Sequence, residues 1–222
     1  MKLHSYIILF LVLASCKSVQ YKQEREVRLP ELASIGLYED YAFENRSRTQ
    51  TIPTLNKPVR VQVEKIKITK RQIFSNDEDI SKHDSIVYSI KILDQLGLMD
   101  QINADRNLLN FLKNGDSYRV VSSIELHIPK DIQNQIDKAD EYYLIQEKEK
   151  TLSLELRKEN ERFTAVDFAD GIIVNYTASQ LCWGTKKGFR VEVLDIVPIG
   201  EPCSSETYST AKKAKRKTEF KF

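Results

Sequence analysis

Between Val59 and Ile68, apolar and polar residues change places almost every step. Val59, Val61 and Val63 alternate with Arg60, Gln62 and Glu64, and Ile66 and Ile68 resume the pattern after Lys65. A period of two puts one set of side chains on each face of an extended chain, which fits a half-buried strand of an antiparallel sheet. The one-residue slip at Lys65 predicts a β-bulge. Ser85 to Leu93 repeats the theme with Ile86, Tyr88, Ile90 and Ile92 on one face, and Tyr118 to Ile128 is a third strand ended by Pro129. Ile172 to Thr177 and Phe189 to Val197 supply the last strands.

Helical spacing is strongest around residues 94–114, where Leu108, Leu109, Phe111 and Leu112 share a side, Asn103 is a candidate cap and Gly115 a stop. Residues 130–140 suggest a short polar helix holding Ile132 and Ile136. Glu141 to Gln146 and Leu152 to Leu156 read as a hairpin, with one continuous helix over 131–160 as the alternative. Strands, helix and strands follow without regular alternation. The fold class expected is therefore α+β, a mostly antiparallel sheet with one main helical segment, preceded by an extended tether. The domain spans 58–204, followed by a basic C-terminal tail over 205–222. Residues 16–57 form the tether: polar, broken by Pro30 and Pro53, and interrupted by an aromatic cluster of Tyr38, Tyr41 and Phe43 able to dock on the domain or on a partner.

Composition removes several functions. Lys and Arg number 34 against 32 Asp and Glu. Residues 1–15 contribute one of these, Lys2, so the remainder carries 33 against 32 and a formal charge of +1. Such a balance gives no electrostatic footprint for nucleic acid. Glycine is scarce, at 7 residues, and neither nucleotide-binding glycine motif occurs.

The chain opens MKLHSYIILFLVLASCKS, with Lys2 ahead of an unbroken apolar run from Tyr6 to Leu13. That run is far short of the roughly 20 residues a transmembrane helix needs, and has the length of a signal-peptide core. Leu13-Ala14-Ser15-Cys16 resembles the lipobox of bacterial lipoproteins: a branched apolar residue, two small residues, then cysteine. The resemblance covers 16 of the 222 residues. It implies cleavage of signal peptide 1–15, lipid (diacylglyceryl, usually with an added palmitate-type acyl chain) on Cys16, and attachment to a membrane. In that family Asp beside the cysteine favours the inner membrane. Lys17 therefore implies the outer membrane, with either face open.

Two cysteines remain, Cys182 and Cys203, an even pair in an oxidising compartment. A disulfide across a loop of 20 intervening residues is expected. Free thiols stay open, and a metal pair lacks nearby histidines.

The search for chemistry assigns no catalytic residue, metal or cofactor. In Ile124-Glu125-Leu126-His127-Ile128 the alternation sets His127 on the polar face beside Glu125, and His83 lies in a polar stretch. The motifs of zinc hydrolases and serine hydrolases are absent. Asp167 and Asp170 are the best carboxylate pair, although Asp170-Gly171 reads more simply as a turn. Asp84-Ser85-Ile86 resembles an O-glycosylation acceptor of exported bacterial proteins. The run Ala211–Lys217 holds five basic residues and is expected as a free or peripherally docked terminus. These features favour a non-enzymatic accessory or assembly subunit of an envelope complex, with another envelope protein as partner. The first alternative is a glycan- or peptide-binding lipoprotein using Trp183 and Tyr176. The second is a carboxylate-dependent cell-wall or glycan hydrolase.

Overall fold

A computed structural model describes residues 29–37, 50–70, 83–115, 118–148, 151–186 and 190–219. Cys16 and its signal peptide, Tyr38, Tyr41 and Phe43 lie outside the described residues. Among the described residues, ten strands form one antiparallel sheet: β1 (Ile35–Leu37), β2 (Gln50–Thr51), β3 (Val59–Lys70), β4 (His83–Ile92), β5 (Tyr118–His127), β6 (Glu141–Lys148), β7 (Thr151–Lys158), β8 (Glu161–Asp167), β9 (Ile172–Lys186) and β10 (Arg190–Pro198). Four helices accompany it: α1 (Gln95–Ala104), α2 (Arg106–Lys113), α3 (Lys130–Ile136) and α4 (Ala211–Glu219). The order across the sheet is β10-β9-β5-β4-β3-β6-β7-β8, with β1 added beside β5 and β2 beside β1. The molecule is thus mostly sheet, a correction to the α+β balance expected with one main helix.

The sheet is open but cannot be flat. Six strand spacings separate β9 from β8, about 29 Å if laid out flat. Yet only Phe168–Gly171 joins the end of β8 to the start of β9, and a chain of that length spans at most about 18 Å. The sheet therefore curls, and Phe168, 3% exposed, fills the closing corner. Helix α1 braces the curl. The Asn103 side chain donates to the Val193 carbonyl (2.8 Å) and accepts from the Val193 amide (2.9 Å), covering the outermost strand β10. Gln101 accepts from the Asn56 and Lys57 amides and donates to the Lys57 carbonyl, gripping the chain just ahead of β3. Val59, Ile90, Leu98, Ile102, Ile124 and Leu144 are fully buried and belong to one continuous core.

Several local expectations change. The single helix over 94–114 is two helices broken at Asp105. Its amide bonds to the Gln101 carbonyl, ending α1, while its carboxylate accepts from the Leu108 amide and starts α2. Asn103 is not a cap, because β10 claims its side chain. No bulge occurs at Lys65: β3 and β4 pair without a register shift from Val61 to Lys70. Strands β6 and β7 pair as the expected hairpin rather than forming part of a continuous helix, and the Glu159-Asn160 turn, both residues at positive φ, adds β8 to make a three-stranded meander. Parts of the expected tether belong to the domain. Leu32 and Ile35 are fully buried, Leu55 nearly so, and β1 pairs with β5. The basic tail docks as α4, through buried Ala211 and Ala214.

Candidate functional site

Helices α1 and α2 meet at a corner, and a groove of about 730 Å³ opens between that corner and residues 51–56. Its walls include Ile52, Thr54, Asp105, Asn107, Phe111 and Gln146. Local sequence explains the placement. Asp105 forces the break that turns α2 away from α1. Leu108, Leu109 and Leu112 bury one side of α2, which leaves Phe111 at the rim, 38% exposed, against the Tyr118 ring at 4.9 Å. On the opposite wall Gln146 accepts from the Leu55 amide at 2.9 Å. Asp105, the acid in this lining, is already committed: one oxygen takes the Leu108 amide, the other the Thr54 hydroxyl at 3.1 Å. With Arg106 also in the lining, the groove offers hydroxyls, amides, a cation and an aromatic ring. This is a surface for holding a ligand rather than for transferring a proton.

Perturbed ionisable groups cluster elsewhere, where α3 ends on β3 and β4. Asp137 accepts from Lys65 Nζ at 2.5 Å and from the Tyr88 hydroxyl at 2.8 Å. The hydrogen bond from Lys65, then that from Tyr88, holds the Asp137 carboxyl below its ordinary value. The same bond to Asp137 raises the Lys65 ammonium. Burial above all, then Asp137, raises the Tyr88 phenol. Since β3 runs on without a bulge, Lys65 follows Val59, Val61 and Val63 on the core-facing row, opposite Tyr88. The Lys65 ammonium stays partly in water, its side chain 38% exposed, and the C-cap of α3 gives it a partner. Every strong donor and acceptor in the trio is thereby matched, which marks a pin between α3 and the sheet.

A second polar cluster lies on β6–β8. Glu155, 4% exposed, accepts from Arg157 at 2.6 Å and lies 3.6 Å from Arg162, while Arg157 stacks over the Tyr143 ring at 4.2 Å. Arg162 also pairs with Glu147, and that bond raises its guanidinium further. Asp167 accepts from the buried Ser153 hydroxyl. Of the expected carboxylate pair, Asp167 ends β8 and Asp170 sits in the following turn.

The remaining candidates are placed plainly. Cys182 and Cys203 are bonded, with Cα atoms 5.7 Å apart, tying β9 to the chain beyond β10. Trp183, 4% exposed, belongs to the core, and its amide and carbonyl both pair with Tyr208 at 2.7 Å. Trp183 is therefore unavailable as a ligand contact, and Tyr176 packs half-buried against the same core. His127 lies exposed on β5, its Nδ1 3.1 Å from the Ile86 carbonyl. Among the described residues no His, Cys, Asp and Glu group is arranged to hold a metal, and no helix is long and apolar enough to cross a membrane. The groove was not foreseen. Its sequence signals are Asp105, a cap residue inside an apolar helical stretch, and Phe111, out of step with its leucines.

No protein-family model matches this chain, and no curated protein or solved structure matches it.

Proposed function

We propose that this chain is a lipoprotein of the outer membrane, held by lipid on Cys16. In this reading its curled sheet serves as a non-enzymatic accessory or assembly subunit of an envelope complex. The observation that carries the binding role is the groove at the α1–α2 corner, where Phe111 stands half-exposed on a fixed helix and Asp105 is already hydrogen-bonded. An exposed ring in a polar concavity is the make-up of an anchor point for another protein. The Leu13–Cys16 lipobox supports the membrane attachment. A second reading, capture of a glycan or peptide, is favoured by the hydroxyl and amide lining of the same groove. The hydrolase reading lacks comparable support, since Asp167 is bonded to Ser153.

Two measurements test the proposal. Mass spectrometry of the purified protein finds a mature chain starting at Cys16 and carrying acyl chains; an unmodified Cys16 refutes the anchor. Pull-down from detergent-solubilised envelopes recovers a stoichiometric partner with the wild type and loses it with Phe111→Asp at unchanged melting temperature. Retention of the partner by that variant refutes the groove as its seat. A protein recovered alone, whose Phe111→Asp variant loses affinity for an oligosaccharide, favours the second reading instead.

A further inference from the structure

Helix α4 puts five cations, Lys212, Lys213, Lys215, Arg216 and Lys217, into two turns. A helical period places Ala211 and Ala214 on one side, and both are buried, at 5% and 1% exposure. The five basic residues cover the opposite arc, centred on Arg216. The helix is fixed in place. Its leading segment is tied by the Cys182–Cys203 bond, and by Tyr208 pairing with Trp183 through both backbone groups. Thr210 closes the N-terminus, its hydroxyl accepting from the Lys213 amide. Arg216 and Lys217 in the last turn favour the helix dipole. In a chain whose overall charge is only +2, this helix is a strongly positive patch held rigid on the domain.

We propose that α4 is a membrane-surface contact, seating on the phosphates of anionic lipid headgroups in the bilayer to which Cys16 is attached. The inference rests on the lipid-anchor reading above and adds an orientation to it. Charge complementarity carries it: clustered cations beside a bilayer are drawn to its negative surface. Reach permits it. Thirteen residue steps separate Cys16 from Leu29, the first described residue, a contour of at most about 47 Å. A domain of this size is about 40 Å across, comparable with that contour, so the anchor does not confine the bilayer to the face that carries Leu29.

The test uses the full chain purified from membranes, reconstituted into vesicles of phosphatidylcholine alone or mixed with phosphatidylglycerol. Flotation reads the anchor, and hydrogen exchange at amides 211–219 reads α4. The expected result is flotation on both. Exchange in α4 is then slower on the phosphatidylglycerol vesicles alone, by about fivefold or more, and the difference disappears near 1 M salt, where screening cuts the range to about 3 Å. Lys213→Gln/Arg216→Gln/Lys217→Gln keeps good helix formers and abolishes the difference, while exchange on phosphatidylcholine stays at the wild-type rate and verifies the fold. Equal exchange on both vesicle types, with flotation intact, overturns the α4 contact and leaves the anchor standing. Flotation only on phosphatidylglycerol, reversed by salt, overturns the anchor and supports α4. Flotation on neither overturns both.

Discussion

Asn103→Ala isolates the brace that holds the curl. The carboxamide makes two hydrogen bonds to the backbone of Val193, at 2.8 and 2.9 Å, and Val193 is 1% exposed. Losing both bonds costs about 1 kcal/mol each. The stranded amide and carbonyl add part of a further penalty of about 1–3 kcal/mol apiece, reduced because β10 is outermost and water reaches it after a small displacement. Alanine returns about 0.5 kcal/mol through its better helix propensity. The net loss expected is about 2–3 kcal/mol, a fall in melting temperature of about 5–10 °C for a chain of this size. Urea denaturation gives the energy. Hydrogen exchange gives the location: the Val193 amide should lose its protection while Ile90, in the sheet centre, keeps it. A loss below about 0.5 kcal/mol, or unchanged exchange at Val193, would show that α1 rests on the sheet without closing it.

Three further outcomes follow from the same contacts. Reducing the Cys182–Cys203 bond, whose residues are 21 apart in sequence, should cost about 3 kcal/mol on the chain-entropy model; calorimetry showing a shift under about 2 °C on reduction contradicts this. Asp137 has its folded value depressed below the ordinary 3.8, so the stability it contributes is present above that value and is lost as pH falls through the folded one. The excess in melting temperature of wild type over Asp137→Asn should then be constant near neutrality and shrink as pH falls below 3.8, and a gap that does not shrink in acid refutes the carboxylate's role. Glu155→Ala should cost about 1–3 kcal/mol by stranding Arg157, with Glu155→Gln losing less; equal losses in urea melts would remove charge from the explanation.

Much of the sheet was legible because period-two alternation is a local signal. Val59 to Val63 and Ile86 to Ile92 each need one buried face, and the structure buries it. The Cys182–Cys203 bond was legible from parity and from the oxidising compartment that the lipobox resemblance implies. What failed was whatever depends on a distant partner. Lys65 resembled a slip because it breaks an apolar row, and its pairing with Asp137, 72 residues away, lies beyond any local pattern. Asn103 resembled a cap because Asn is a capping residue, and only Val193, 90 residues away, shows that its amide is spent on a strand edge.

The same distinction governs the functional surface. Trp183 was a candidate ligand contact. It is instead buried by Tyr208, which pairs with it from beyond the disulfide. Phe111 blends into an apolar run, although a helical period turns it about 100° away from the side shared by Leu108, Leu109 and Leu112. Its exposure follows from Asp105, six residues earlier, which starts α2 at an angle that buries Leu108, Leu109 and Leu112 and leaves Phe111 at the rim of the groove. An aromatic ring becomes a contact residue here through where a helix is cut. The consequence is testable at the cut itself: Asp105→Ala removes the α2 cap and the Thr54 bond together. It should therefore disturb partner or ligand binding as strongly as Phe111→Asp, without touching the ring.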